Sequence, residues 1–317
     1  MYDILLPIIA LLLGFTLLIW SADTFTDNGA KIAKLFKVSP LAIGLLIFGF
    51  GTSTPEILVS GLAAMDGNTG LSIGNAIGSN IFNIALVLGV SAIIVPIKVE
   101  GKILKKEWVF LIFATLCVGG LLWDKRLDAT DGLILLGLLI VFLAYTFKTA
   151  KNDDYQAFDE LKNTVDKSQT GKTWLMLIIG LSVLIFSAKI IVWGGVEIAQ
   201  SFGVSDLIIG LSVIALGTSL PELAVSISSA LKRQYEMVVG NVIGSNLFNT
   251  LAVLAIPGII HPSKIENEVL YRDYSTMLFL TILLFVVSYK FLKKHVINRF
   301  EGVILVGVFG VYIWQLF

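Results

Sequence analysis

The sequence predicts an all-α membrane protein with ten transmembrane helices in two inverted five-helix repeats. Three observations carry this expectation. The 317 residues are 56% hydrophobic and only 15% charged, whereas soluble domains run about 45–50% apolar and about 25% charged. Polar surface is therefore too scarce to coat a water-soluble globule. Ten runs approach the roughly 20 apolar residues that a spanning helix needs. They are continuously apolar and do not alternate with the period of two expected of barrel strands. Finally, the chain matches itself at a shift of 166 residues.

Taken in order, the first run, 4–22, lacks a positive leader, carries Asp3 and belongs to the repeat, so it reads as helix 1 and not as a signal peptide. Runs 41–65, 71–97, 108–123 and 131–147 follow as helices 2 to 5. The polar segment 150–172 comes next. Its acids Asp153, Asp154, Asp159 and Glu160 lack the EF-hand spacing, so it reads as a solvated linker, with a regulatory ion site as the alternative. Runs 173–196, 207–231, 237–260, 274–292 and 301–317 supply helices 6 to 10. The expected organisation is a first repeat over 1–149, a linker over 150–172 and an inverted second repeat over 173–317.

Basic residues set the orientation. With the N-terminus outside, inner loops hold eighteen Lys and Arg and outer loops only Lys125, Arg126, Lys264 and Arg272, a strong positive-inside bias. The expectation is a multi-pass protein of the cell membrane, with both termini extracellular and the linker cytoplasmic. Lys189, within helix 6, and Asp23 hold equivalent positions near the ends of helices 6 and 1, and read as an interfacial or snorkelling pair. Acidic and basic residues number 23 each, so no basic surface suggests nucleic acid. A single cysteine, Cys117, excludes an intrachain disulfide and a Cys-rich metal site, and His261 and His295 lie too far apart in sequence to suggest a multi-histidine one. No cofactor and no obligatory protein partner is expected.

The duplication is concentrated in two places. Between 38–60 and 204–226, thirteen of twenty-three positions are identical without a gap. GNAIGSNIFN (74–83) matches GNVIGSNLFN (240–249) at eight of ten. The same shift aligns Gly14 with Gly180, and a slightly larger one pairs Asp131-Gly132 with Glu301-Gly302. Five spans per half is an odd number, so the second copy enters the membrane from the opposite side. That architecture is common among secondary transporters, with ion sites at the midplane where the halves meet.

Each half places one carboxylate deep in the bilayer. Glu56 is the only ionisable side chain in run 41–65 and Glu222 the only one in run 207–231, within GTSTPE and GTSLPE. A charge at that depth costs about 2.5–3.5 kcal/mol even on lenient insertion scales, and no Lys or Arg occurs in either run to offset it. A bound cation is the expected compensation; a protonated, hydrogen-bonded carboxyl is the alternative. Pro55 and Pro221 each remove a backbone donor and free the carbonyl four residues earlier, at Gly51 and Gly217. The Thr-Ser pairs stand beside those carbonyls, Thr52 and Ser53 lying on a similar face to Glu56. In helices 3 and 8, Asn75, Ser79 and Asn83, and Asn241, Ser245 and Asn249, recur every four residues as polar stripes. Together these hard oxygen donors suit Ca²⁺ and Na⁺. Gly74, Gly78, Gly240 and Gly244 read as close-packing positions, and for Asn75, Asn80, Asn241 and Asn246 structural bonding and ion binding both stand open.

At these residues the sequence resembles the sodium/calcium exchangers of the cation/calcium exchanger superfamily, through paired alpha-repeats at 39–90 and 205–256. The resemblance implies that Glu56 and Glu222 coordinate Ca²⁺ and competing Na⁺, helped by the hydroxyls of Thr52, Ser53, Thr218 and Ser219. It implies further ligands in the backbone oxygens of Gly49 and Ala215. Ser79 and Ser245 would flank outer and inner Na⁺ positions, and Asn83 and Asn249 would line the central site. It also implies that helices 1 and 6 slide across the other eight. Some relatives carry Asp where this chain has Asn249, so one carboxylate is missing and ion stoichiometry does not transfer from them. The GN repeats lack the acidic residue and the His or Pro typical of the proton/calcium branch, which stays the alternative. The linker has no room for a large Ca²⁺-sensing domain, so the chain looks like a minimal prokaryotic form. The expected activity is antiport of Na⁺ against Ca²⁺ by alternating access, and not enzymatic chemistry.

Overall fold

The computed structural model describes residues 2–99, 101–149, 169–203, 215–288 and 296–316. The first half comprises α1 (Tyr2–Phe36), α2 (Pro40–Met65), α3 (Thr69–Ile94), α4 (Gly101–Leu121) and α5 (Ala129–Thr149). The second comprises α6 (Thr170–Ser201), α7 (Leu220–Leu231, preceded by the short helical turn Ala215–Thr218), α8 (Tyr235–Ile260), α9 (Val269–Tyr274 running into Ser275–Ser288) and α10 (Arg299–Leu316). Among the described residues, nine helices are long and apolar enough to cross a membrane, and α7 is a shorter apolar one. The first part of the seventh expected run, 207–214, and most of the expected linker, 150–168, lie outside the described residues.

α1 and α6 are 35 and 32 residues long, well beyond the runs 4–22 and 173–196. Hydrophobicity marks where a helix meets the interface, not where its backbone stops. Asp23, Asp27, Asn28 and Lys31 contain no helix breaker, and α1 ends only before Lys37, which adopts φ 52°. The two helices pack side by side over most of their length. A Cβ on Gly14 would stand 2.6 Å from Ile191 Cγ1, and one on Gly180 would stand 2.9 Å from the Phe25 nitrogen. The two glycines aligned by the repeat therefore let these helices touch backbone to side chain. Around Phe25 and Phe48, whose ring centroids are 4.8 Å apart, α1 and α6 bury a small core together with Ile43 of α2, Val225 of α7 and Met237 of α8. The remaining eight helices share a larger one.

Two short antiparallel ladders, absent from the sequence expectation, join the halves. β1 (Ile97–Lys98) pairs with β4 (Val296–Ile297), and β2 (Arg126–Leu127) pairs with β3 (Ser263–Lys264). β3 is the repeat equivalent of β1, and β4 that of β2, so the ladders are related by the internal symmetry. Two-residue strands leave no periodicity to read.

The fifth helix of each half starts in the same way. Asp128 Oδ1 accepts from the Asp131 amide while Asp131 Oδ2 accepts from the Asp128 amide at 3.0 Å. Asn298 and Glu301 make the same reciprocal pair at 3.0 and 2.7 Å. These are capping boxes. The adjoining Gly132 and Gly302 bring α5 against the Ala255 carbonyl and α10 against the Gly89 carbonyl, where an added Cβ would stand 2.8 and 2.7 Å away.

Candidate functional site

α2 is not one smooth helix. Ser39 Oγ caps its start by accepting from the Ala42 amide at 3.2 Å. A π-turn runs over Gly44–Phe48, and the helix then opens at Ser53 (φ −79°, ψ 4°) before restarting at Thr54. The second half repeats the break at Ser219 (φ −94°, ψ 7°), between Ala215–Thr218 and α7. Proline explains the position. Pro55 and Pro221 lack the amide that would continue the helix and sit in the first turn of the restarted segment, where no amide is needed. Glu56 and Glu222 share that first turn, and the positive end of each restarted helix favours their carboxylates.

The two turns meet face to face. Ser53 Oγ donates to Glu222 Oε1 at 3.5 Å, and Ser219 Oγ donates to Glu56 Oε1 at 3.4 Å. Thr218 also hydrogen-bonds the Glu56 carboxyl, and the two carboxylates are close enough to repel one another. The hydroxyls therefore serve the carboxylate of the opposite half. This differs from the expectation that Thr52 and Ser53 share a face with Glu56, and the reason is the opening at Ser53, which interrupts the i, i+4 alignment. Glu56 and Glu222 are 0% and 1% exposed.

Each carboxylate turn is held by an asparagine of its own half. Asn75 Nδ2 donates to the Glu56 carbonyl at 3.0 Å and to Ser60 Oγ at 2.9 Å. Asn241 Nδ2 donates to the Glu222 carbonyl at 3.2 Å and to Ser226 Oγ at 3.0 Å. For Asn75 and Asn241 the structural role left open by the sequence is thus present. Asn80 Nδ2 likewise donates to Thr250 Oγ1 at 2.9 Å. Ser60 and Ser226 were missed in the sequence, although their equivalence at the 166-residue shift was a usable signal.

Around the paired turns, Thr52 Oγ1 lies 3.2 Å from Ser245 Oγ and donates to the Phe48 carbonyl at 2.9 Å. Ser245 Oγ donates to the Gly49 carbonyl at 3.5 Å. Ser79 is buried. Asn83 and Asn249, each two turns beyond its carboxylate-holding asparagine, are fully buried and open π-turns at Asn83–Leu88 and Asn249–Val253. Ala215 begins the turn that leads to Ser219. The structure thus brings Glu56, Glu222, Ser53, Ser219, Thr52, Thr218, Ser245 and Gly49 into one connected cluster. Glu56 Oε2, Glu222 Oε2 and both amide atoms of Asn83 and Asn249 are buried without a hydrogen-bond partner. Buried oxygens left in this way cost about 1–3 kcal/mol each, and a desolvated hard cation is what they fit.

The family model for sodium/calcium exchanger protein matches residues 6–148 and 172–317. The chain belongs to the sodium/calcium exchanger family. It is 42% identical to CaxA of Alkalimonas amylolytica over 99% of both chains. It is 33% identical to the inner membrane protein YrbG of Escherichia coli over 99% of this chain and 97% of that one. The solved structure of the sodium-calcium exchanger NCX_Mj soaked with Na⁺ and Sr²⁺ superposes with a TM-score of 0.85 at 34% identity, covering 98% of each chain. This member of the family is a multi-pass membrane protein with the ten-helix exchanger fold.

Proposed function

We propose that this exchanger carries Ca²⁺ and Na⁺ through a single cage between its two halves. The observation that carries the reading is the reciprocal pair, Ser53 to Glu222 and Ser219 to Glu56, which makes one site out of two mirrored turns. Glu56 and Glu222 supply charge. Thr52, Ser53, Thr218 and Ser219 supply hydroxyls, and the Gly49 and Ala215 carbonyls supply backbone oxygens. Ser79 and Ser245 flank the Na⁺ positions, and Asn83 and Asn249 offer amide oxygens in the centre. These twelve residues offer more oxygens than the 6–8 that one Ca²⁺ takes, so the same cage can seat one Ca²⁺ or several Na⁺ at overlapping positions.

Charge balance supplies the coupling. One Ca²⁺ or two Na⁺ neutralise two carboxylates, and either loaded site can be occluded, while bare carboxylates in the bilayer core are costly. A further Na⁺ would leave one net positive charge, which gains about 2.3 kcal/mol per 100 mV of membrane potential. Alternating access then follows from the inverted repeat. The halves 1–149 and 173–317 exchange roles, the termini face outward, and 150–172 lies in the cytoplasm of a cell whose surface membrane holds the protein. The ions and the lipid are its partners in this reading.

Proteoliposomes loaded with Na⁺ and diluted into Na⁺-free buffer test the activity. The expected result is Ca²⁺ entry driven by the Na⁺ gradient and abolished by Glu56→Gln or Glu222→Gln with the fold retained. Uptake driven by a pH gradient without Na⁺ would instead establish proton coupling, and full transport by both variants would remove the carboxylates from the mechanism.

A further inference from the structure

A polar cluster outside the cage ties α1 to the end of α7. Lys232, the first residue after α7, places Nζ 3.2 Å from Asp23 Oδ1 and 2.8 Å from Asp27 Oδ1, two acids one turn apart on α1. Nζ also donates to the Asp23 carbonyl at 3.1 Å and to Thr26 Oγ1 at 2.9 Å. Ser228 Oγ donates to Asp23 Oδ1 at 2.5 Å and lies 2.9 Å from Thr26 Oγ1. Asp23 therefore pairs with Lys232 and not with Lys189, and both Asp23 and Lys189 lie well inside their helices, not at the ends that the shorter apolar runs implied.

The 166-residue shift that relates the halves carries Asp23 onto Lys189 and Asp66 onto Lys232. Both partners of the pair thus have equivalents, with the charges exchanged. The positions also match in structure. Asp66 follows α2 as Lys232 follows α7, with φ, ψ of −78°, 2° and −82°, 2°. Each is followed by a left-handed residue, Gly67 at φ 75° and Arg233 at φ 58°. Yet Asp66 and Lys189 are both exposed, and among the described residues no ion pair joins them. α1 lies along α7, while α6 has no comparable packing on the last segment of α2. Lys189 is 19 residues from the start of α6, about 28 Å at 1.5 Å per residue, which carries it most of the way across the bilayer toward the face at which α2 ends in Asp66.

An arrangement that obeyed the internal symmetry would make both pairs or neither. Here one is made and its mate is open, the asymmetry an inverted repeat needs in order to expose a site to one side at a time. A pair whose residues both change while their attraction persists is also hard to ascribe to either residue alone. We propose that Asp23–Lys232 and Asp66–Lys189 are alternating ionic latches of opposite polarity, one at each face of the membrane, each made when the other is broken. Asp23 is half-exposed, Asp66 and Lys189 are exposed and Lys232 is only partly buried, so each pair is weak enough to break in every cycle. The inference rests on the exchange reading above, and it assigns a state-dependent role to residues that touch no transported ion.

The test uses the full chain in liposomes with Cys117→Ser as the parent, and cysteine pairs at 23/232 and 66/189. A short thiol-reactive cross-linker is applied during exchange, and linkage is read by mass on the chain itself. Both pairs are expected to link, linkage of either is expected to arrest exchange, and a four-cysteine chain already linked at 23/232 should no longer link at 66/189. Asp66→Lys alone should slow exchange severalfold, with Asp66→Lys plus Lys189→Asp restoring it. A 66/189 pair that never links, or links equally well with 23/232 locked, would overturn the latches, as would a double reversal no better than the single one. Exchange by the unlinked parent reports separately on the antiport reading.

Discussion

Ser53 and Ser219 each donate a hydrogen bond across the molecule, to the carboxylate of the other half. They are therefore the residues through which each carboxylate senses its partner turn. A hydrogen bond to a charged group contributes about 1.5–3 kcal/mol at good geometry, and at 3.4–3.5 Å about 1 kcal/mol is the reasonable expectation. Ser53→Ala and Ser219→Ala should each weaken ion affinity about fivefold while leaving the melting temperature nearly unchanged. Dose–response of exchange against Ca²⁺ measures this, and equal affinity in wild type and both variants would contradict it. Glu56 and Glu222 were legible in the sequence because each is the only ionisable group in its span. The identity of their hydroxyl partners was not, since it depends on φ and ψ at Ser53 and Ser219, and spacing along an ideal helix pointed Ser53 at its own glutamate.

α8 packs onto the first part of α2 almost backbone to backbone. A Cβ on Gly240 would stand 2.7 Å from the Leu41 carbonyl, and one on Gly244 would stand 2.5 Å from the Leu45 carbonyl. Their repeat equivalents Gly74 and Gly78 would meet nothing within 4 Å. The sequence assigned all four to packing, because composition cannot say which copy of a duplicated helix is in close contact. Gly244→Ala should therefore destabilise the protein by about 1–3 kcal/mol, the usual cost of overpacking, whereas Gly78→Ala should melt with the wild type. Thermal unfolding in detergent separates the two. The π-turns at Asn83 and Asn249 were equally invisible, for an extra residue in one turn leaves the apolar pattern intact. π-turns of this kind cluster at functional sites, and here both begin at an asparagine of the expected central site.

At the scale of the molecule, most of the architecture was written in the chain twice. The 166-residue match, the odd number of spans per half and the two carboxylate turns together specify a pseudo-symmetric body with its charge at the seam. The capping boxes at Asp131 and Glu301 account for a pairing that the sequence displayed without a reason. The ladders between the halves, the length of α1 and α6, and the departure from symmetry at Asp23 and Lys232 depend on contacts between distant segments, which hydropathy does not encode.

The claim on which the rest depends is that the mirrored turns build one shared seat for both ions. Equilibrium binding of radioactive Ca²⁺ to the purified exchanger, titrated with Na⁺, measures it directly. One Ca²⁺ per chain, displaced competitively by Na⁺ and lost in both Glu56→Gln and Glu222→Gln, is the predicted result. Ca²⁺ that stays bound at saturating Na⁺, or that binds undiminished when either glutamate is replaced, would contradict it.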